Sequence, residues 1–112
     1  MAQGYYELKL AKDGQFMFNL MATNGQIILT SELYKSKASA QNGIASVQKN
    51  GVDAKNFEFR TTKNDQPYFV LKAANHQEIG RSQYYSSQAA AQKGVESVMN
   101  NAFSEDIRDL TV

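Results

Sequence analysis

The sequence predicts an α+β domain built from two tandem β(3)-α-β repeats of mainly antiparallel strands, with both helices packed on one face. Three observations carry this. The stretch Tyr34–Val47 recurs as Tyr85–Val98, at an offset of 51 residues. The correspondence extends without a gap from Tyr6–Gly51 to Phe57–Ala102, and 19 of the 46 aligned positions are identical, too many for a local motif alone. Ahead of each recurring stretch, short segments alternate apolar and polar residues, the period of a strand with one buried face. Residues 1–112 therefore read as one domain of two repeats, at about 5–55 and 56–112.

In the first repeat, Tyr6, Leu8 and Leu10 lie on one side of a strand, with Glu7 and Lys9 on the other. Lys12-Asp13-Gly14-Gln15 carries an Asp-Gly hairpin signal. Phe16 to Ala22 follows as a second strand, with Phe16, Phe18, Leu20 and Ala22 on one face. Asn24-Gly25 is expected to form a type I′ turn, in which both residues take positive φ. Gln26 to Ser31 is the third strand. The second repeat follows the same order. Pro67 stands where a strand begins, a place proline tolerates, and His76 replaces Gly25 in the turn. Positions 6/57, 8/59, 18/69, 20/71 and 28/79 are apolar in both copies and predict the face that the helices cover.

Ala40, Ile44 and Val47 are spaced i, i+4, i+7, as are Ala91, Val95 and Val98, which places each set on one helix face. Ser36 and Ser87 are the expected N-caps. Gly43 and Gly94 fall on the apolar face, where glycine costs about 1 kcal/mol relative to alanine. Their recurrence predicts a close approach of the helix backbone to the sheet; the alternative is a broken helix. After the second helix, Ile107 to Val112 is expected to pair with the sheet. Leu110 and Val112 align with Phe59 and Thr61, as if a third unit began there; a frayed terminus is the alternative.

Composition narrows the function classes. Cysteine is absent, which excludes disulfide and thiolate chemistry. The net charge of +1 gives no broad attraction to nucleic acid or anionic membrane. No apolar run is long enough to span a bilayer, and Met1-Ala2-Gln3-Gly4 lacks the features of a signal peptide, so a cytoplasmic protein is expected. His76 is the only histidine and is expected in an exposed turn without metal partners. Glu7 and Glu58 recur with Lys9 and Arg60, an arrangement that suits surface pairing better than acid–base chemistry. No Walker or dinucleotide glycine pattern is present, and no catalytic, cofactor or metal residues are expected.

The face away from the helices is less ordinary. Alternation places Met17, Met21, Ile27 and Leu29 there in the first repeat, and Tyr68, Val70, Lys72, Glu78 and Gly80 in the second. A one-sided sheet normally presents a polar outer face, so the first set is a candidate contact surface for a protein partner. Scattered surface residues, or cover by the tail, are the ordinary explanation. Tyr68 with Arg60 and Lys72 is the candidate site for single-stranded nucleic acid, by stacking between basic groups. The near-neutral charge disfavours it.

The pattern Asn24-Gly25-Gln26, a strand, then Tyr34-x-Ser36-Lys37-Ala38-x-Ala40-x-x-Gly43-Ile44-x-Ser46-Val47 resembles the YegP-like family, also called UPF0339 or DUF1508. The resemblance covers about Tyr5 to Ala102; the second copy departs from it at Asn75-His76-Gln77, Ser86 and Gln88. It implies β(3)-α-β units, in tandem or from two subunits, that assemble one sheet and exchange their final strands. A tandem chain would then be the covalent counterpart of a dimer and is expected to be monomeric, with weak homodimerisation as the alternative. The resemblance implies no activity and no cofactor. The reading it leaves is a non-enzymatic interaction module that binds through the open sheet face or the strand edges.

Overall fold

The structure, a computed structural model, describes residues 4–111. Its first meander is β1 (Tyr5–Leu10), β2 (Phe16–Met21) and β3 (Ile27–Ser31), followed by helix α1 (Lys37–Asn50). A 3-10 turn (Ala54–Asn56) leads to β4 (Phe57–Thr61), β5 (Pro67–Lys72) and β6 (Glu78–Arg81), then helix α2 (Gln88–Asn101) and β7 (Ile107–Asp109).

All four hairpins close in the same way, and not by the two-residue type I′ turn expected at Asn24-Gly25. The Gly25 N–H donates to the Ala22 carbonyl at 2.9 Å, and the Ala22 N–H donates to the Gln26 carbonyl at 2.9 Å. This is a three-residue loop whose last residue alone is left-handed. Gly14 and Gly25 hold that position at φ 83°; Asp65 (60°) and His76 (68°) hold it in the second repeat. Asn24 precedes the left-handed position of this loop, and its Oδ1 accepts the Gln26 N–H at 3.0 Å.

The strands form one sheet in the order β4-β5-β6-β3-β2-β1-β7. The two meanders join at β3 and β6, antiparallel, where Thr30 faces Arg81. These are equivalent positions of the two repeats, so a pseudo-twofold axis passes between them. The helices' C-terminal ends meet on the same axis: a Cβ built on Gly51 would fall 2.8 Å from the Ala102 Cβ, its own equivalent.

Both helices lie on one face. Ala40, Ile44 and Val47 of α1 and Val95 and Val98 of α2 join Tyr6, Leu8, Phe18, Leu20, Phe69 and Leu71 in a single core. Ser36 and Ser87 cap the helices, accepting the N–H of Ser39 and of Ala90, each at 3.1 Å. The helix glycines do allow close approach, and what approaches is a tyrosine. A Cβ on Gly43 would fall 2.8 Å from Cζ of Tyr34, and one on Gly94 would fall 2.7 Å from Cζ of Tyr85. Tyr34 in turn stacks on Phe18 (6.2 Å between centroids, 11° between planes), and Tyr85 stacks on Phe69 (6.1 Å, 14°). Each tyrosine is pinned to a strand: the Tyr34 N–H donates to Phe16 at 2.7 Å, and that of Tyr85 to Pro67 at 2.8 Å.

The strand after each helix pairs with the other repeat, as the exchange of final strands requires, but the two differ. β4 follows α1, is antiparallel to β5 and doubles as the first strand of the second meander. β7 follows α2 and runs parallel to β1, Tyr6 beside Ile107 and Leu8 beside Asp109. The tail therefore does not open a third unit. Pairing continues to Leu110, whose N–H donates to Leu8 at 2.8 Å; Val112 lies outside the described residues. Ser104, 1% exposed, fixes the approach by donating to the Gly4 carbonyl at 2.6 Å.

Two expectations about faces fail, each for a local reason. A bulge opposite Leu20 and Met21 shifts the alternation in β3, so Leu29 joins Ile28 in the core at 1% exposure instead of facing outward. Gly80, its equivalent, lies opposite core-facing Leu71, beside the matching bulge in the β5–β6 pair. Phe59, predicted to be covered, is 40% exposed, because β4 ends the sheet while its equivalent, Leu8, is flanked by β7.

Candidate functional site: the open face and the free strand edge

Alternation carries Glu58 and Arg60 of β4, Tyr68, Val70 and Lys72 of β5, and Glu78 and Arg81 of β6 to the face opposite the helices. There the charges pair. Arg60 Nε is 2.6 Å from Glu58 Oε2, and its Nη1 is 2.6 Å from Glu78 Oε1. Lys72 Nζ is 3.0 Å from Glu58 Oε1, and Arg81 Nη2 is 3.3 Å from Glu78 Oε2. The hydrogen bonds from Arg60 and Lys72 hold the Glu58 carboxyl below the usual carboxylate range. Burial alone would raise Glu78, but the bonds from Arg60 and Arg81 outweigh it and leave it lowered. Tyr68 meets Tyr84 edge to face at 5.5 Å, and the Arg81 guanidinium lies 5.9 Å from its centroid.

Tyr68 and Arg60 thus stand side by side across β4 and β5, with Lys72 farther along β5 beside Glu58, yet both cations are already matched by carboxylates. Of the first-repeat set, Met17 is half-buried, Met21 is 7% exposed and Ile27 is 42% exposed. Between them, Asn19 is 4% exposed, and its Oδ1 has no hydrogen-bond partner. With Leu29 in the core, the apolar surface contracts to Ile27 and the rim of Met17. At the outer side of this half, the Arg108 guanidinium sits 3.6 Å from the Tyr5 ring centroid, a cation–π contact that helps to hold β7.

His76 is exposed in its turn and borders a cleft of about 280 Å³ with Lys55, Phe57, Glu58 and Lys72. Among the described residues, no group of three or more His, Cys, Asp or Glu side chains is placed to hold a metal ion. No helix among them is long and apolar enough to cross a membrane.

Sequence reasoning overlooked Ser31 and Ser82. Each is buried and accepts the N–H of the central phenylalanine, Phe18 at 2.9 Å and Phe69 at 3.0 Å. Their recurrence at the repeat offset was the available signal.

The model of the domain of unknown function DUF1508 matches residues 11–58 and 62–109, two units at the offset of the internal repeat. The chain belongs to the DUF1508 family. Each matched DUF1508 unit begins in a hairpin and ends in the strand that follows its helix, so β4 and β7 close equivalent units. A UPF0339 protein of Mannheimia succiniciproducens is 75% identical over 111 residues, covering 99% of this chain and 98% of the relative. The UPF0339 protein YegP of Yersinia pestis is 57% identical over the whole of both chains. Two solution structures share the fold. A UPF0339 protein of Shewanella oneidensis gives a TM-score of 0.91 at 52% identity, covering 97% of this chain and 92% of that one. The yegP protein of E. coli, described as of unknown function, gives 0.93 at 46%, covering 98% and 95%.

Proposed function

We propose that this DUF1508 chain is a non-enzymatic, cytoplasmic interaction module that binds another polypeptide along the free edge of its sheet. The observation that supports this is the position of Phe59. It is 40% exposed on a terminal strand, where its equivalent Leu8 is 1% exposed beside β7. An added strand gains backbone hydrogen bonds at such an edge, and side-chain contacts supply the selectivity. A contact through the open face has less support, because Met21 and Leu29 are buried. Single-stranded nucleic acid on that face has less support too, because Glu58 and Glu78 engage Arg60 and Lys72.

Thr61→Pro removes an N–H from the outer edge of β4, a place where strands tolerate proline. Affinity capture from native cell extract is expected to retain proteins on the wild-type chain that this variant loses. Equal retention by both, or salt-sensitive retention of RNA or DNA in their place, would defeat the reading.

A further inference from the structure

The direction of the backbone groups at β4 can be read from its neighbour. Phe69 donates its N–H to Ser82 Oγ at 3.0 Å and accepts the Ser82 N–H on its carbonyl at 2.9 Å, so both its polar groups face β6. The Phe59–Phe69 pair is therefore a non-hydrogen-bonded one, and the N–H and C=O of Phe59 point out of the sheet. Leu8, the equivalent of Phe59, uses this direction to receive Leu110. β4 keeps unbroken register with β5 over Phe57 to Thr61 and carries no proline or bulge; the charges on this short edge, Glu58 and Arg60, are of opposite sign and exclude a partner strand only where like charges meet.

The edge is a poor copy of the one that holds β7. There, Lys37 binds Asp109 and Tyr5 receives Arg108. At the equivalent positions beside β4 stand Gln88 and Asn56, which supply neither charge nor ring. An antiparallel strand of sequence Phe-Glu-Phe-Arg-Thr fits better. Centred on Phe59, it sets each Glu58 opposite the Arg60 of the other strand and brings the two Phe59 rings together on the helix side. The Phe59 pair exchanges two backbone hydrogen bonds.

We propose that β4 pairs with β4 of a second copy of this chain, antiparallel and centred on Phe59, joining two sheets into one. This rests on the edge-binding reading above and names its partner. The chain already contains a junction of this kind, since β3 and β6 meet antiparallel with equivalent residues face to face. A single strand edge buries less than the roughly 1,200 Å² of a stable complex, so the dimer forms reversibly and only at high concentration.

Sedimentation equilibrium of the full chain, from micromolar to about 1 mM, reads the association. Arg60→Glu sets acid against acid across the junction and should weaken dimerisation about tenfold or more. Mixing this variant with Glu58→Arg, each mismatched against its own copy, sets opposite charges across the junction and should recover most of the loss. Thr61→Pro should abolish association, with the fold checked by circular dichroism. In the wild type, isotope-filtered NMR should connect the α-protons of Glu58 and of Arg60 in the second copy. A chain monomeric at about 1 mM, or a dimer indifferent to Arg60→Glu, overturns self-pairing. The extract capture with Thr61→Pro then decides separately whether the edge binds another polypeptide.

Discussion

Tyr34 occupies the space that a side chain at residue 43 would need. A Cβ on Gly43 would fall 2.8 Å from Tyr34 Cζ and 2.9 Å from Phe18 Cε2, and Tyr85 and Phe69 repeat the arrangement around Gly94. Replacing either glycine by alanine gains about 1 kcal/mol of helix propensity but forces the ring off its stack. Gly43→Ala and Gly94→Ala are each expected to lose about 1–3 kcal/mol net in urea unfolding, the range of overpacked cores. A gain in stability would show that the tyrosine yields without cost.

Phe18 and Phe69 are fully buried at the centre of the two halves. Truncating either to alanine is expected to cost about 3–5 kcal/mol, a large share of the roughly 5–15 kcal/mol that holds a small domain. Equilibrium denaturation measures it. A loss below about 1 kcal/mol would contradict their place in a shared core.

The left-handed turn positions separate the repeats. His76 sits at φ 68° where its equivalent Gly25 sits at 83°. A non-glycine residue there carries a strain of about 1–2 kcal/mol, partly offset because glycine loses more entropy on folding. His76→Gly is expected to raise stability by about 0.5 kcal/mol, and Gly25→Ala to lower it by about 1 kcal/mol. Thermal melts of the two variants should move in opposite directions.

Docking of β7 is expected to depend on acid pH. The hydrogen bond from Lys37, then those from Thr111, hold the Asp109 carboxyl at about 2, against its ordinary 3.8. A carboxyl lowered by folding stabilises the fold above its unfolded value, and that contribution disappears as pH falls through the folded one. The β7 amide resonances should therefore shift as pH drops from about 4 to about 2. Asp109→Asn should remove the transition. An unchanged β7 spectrum in the wild type across this window would show that the Lys37 contact does not hold the strand.

Much of this architecture was legible because the repeat reports the same element twice. Ser36 and Ser87 named the helix starts, and the paired apolar positions named the covered face. The failures came where non-local pairing decides. Nothing local to Leu29 announces the bulge that turns it inward. The exposure of Phe59 depends on which strand ends the sheet, and its own alternation is ordinary. The parallel course of β7 follows from where α2 delivers the chain, which a fixed-offset alignment cannot contain. Alternation within single strands can name residues only on the broad face, while which strand edge stays open is settled by the order of strands in the sheet.

The clasp between Gly4 and Ser104 also sets an order of events at the ribosome. The strand beside it emerges 100 residues before its cover, a gap on the order of 5–20 s at bacterial and eukaryotic rates of synthesis. Until Ser104 and β7 follow, β1 has no strand of this chain to pair with on that flank.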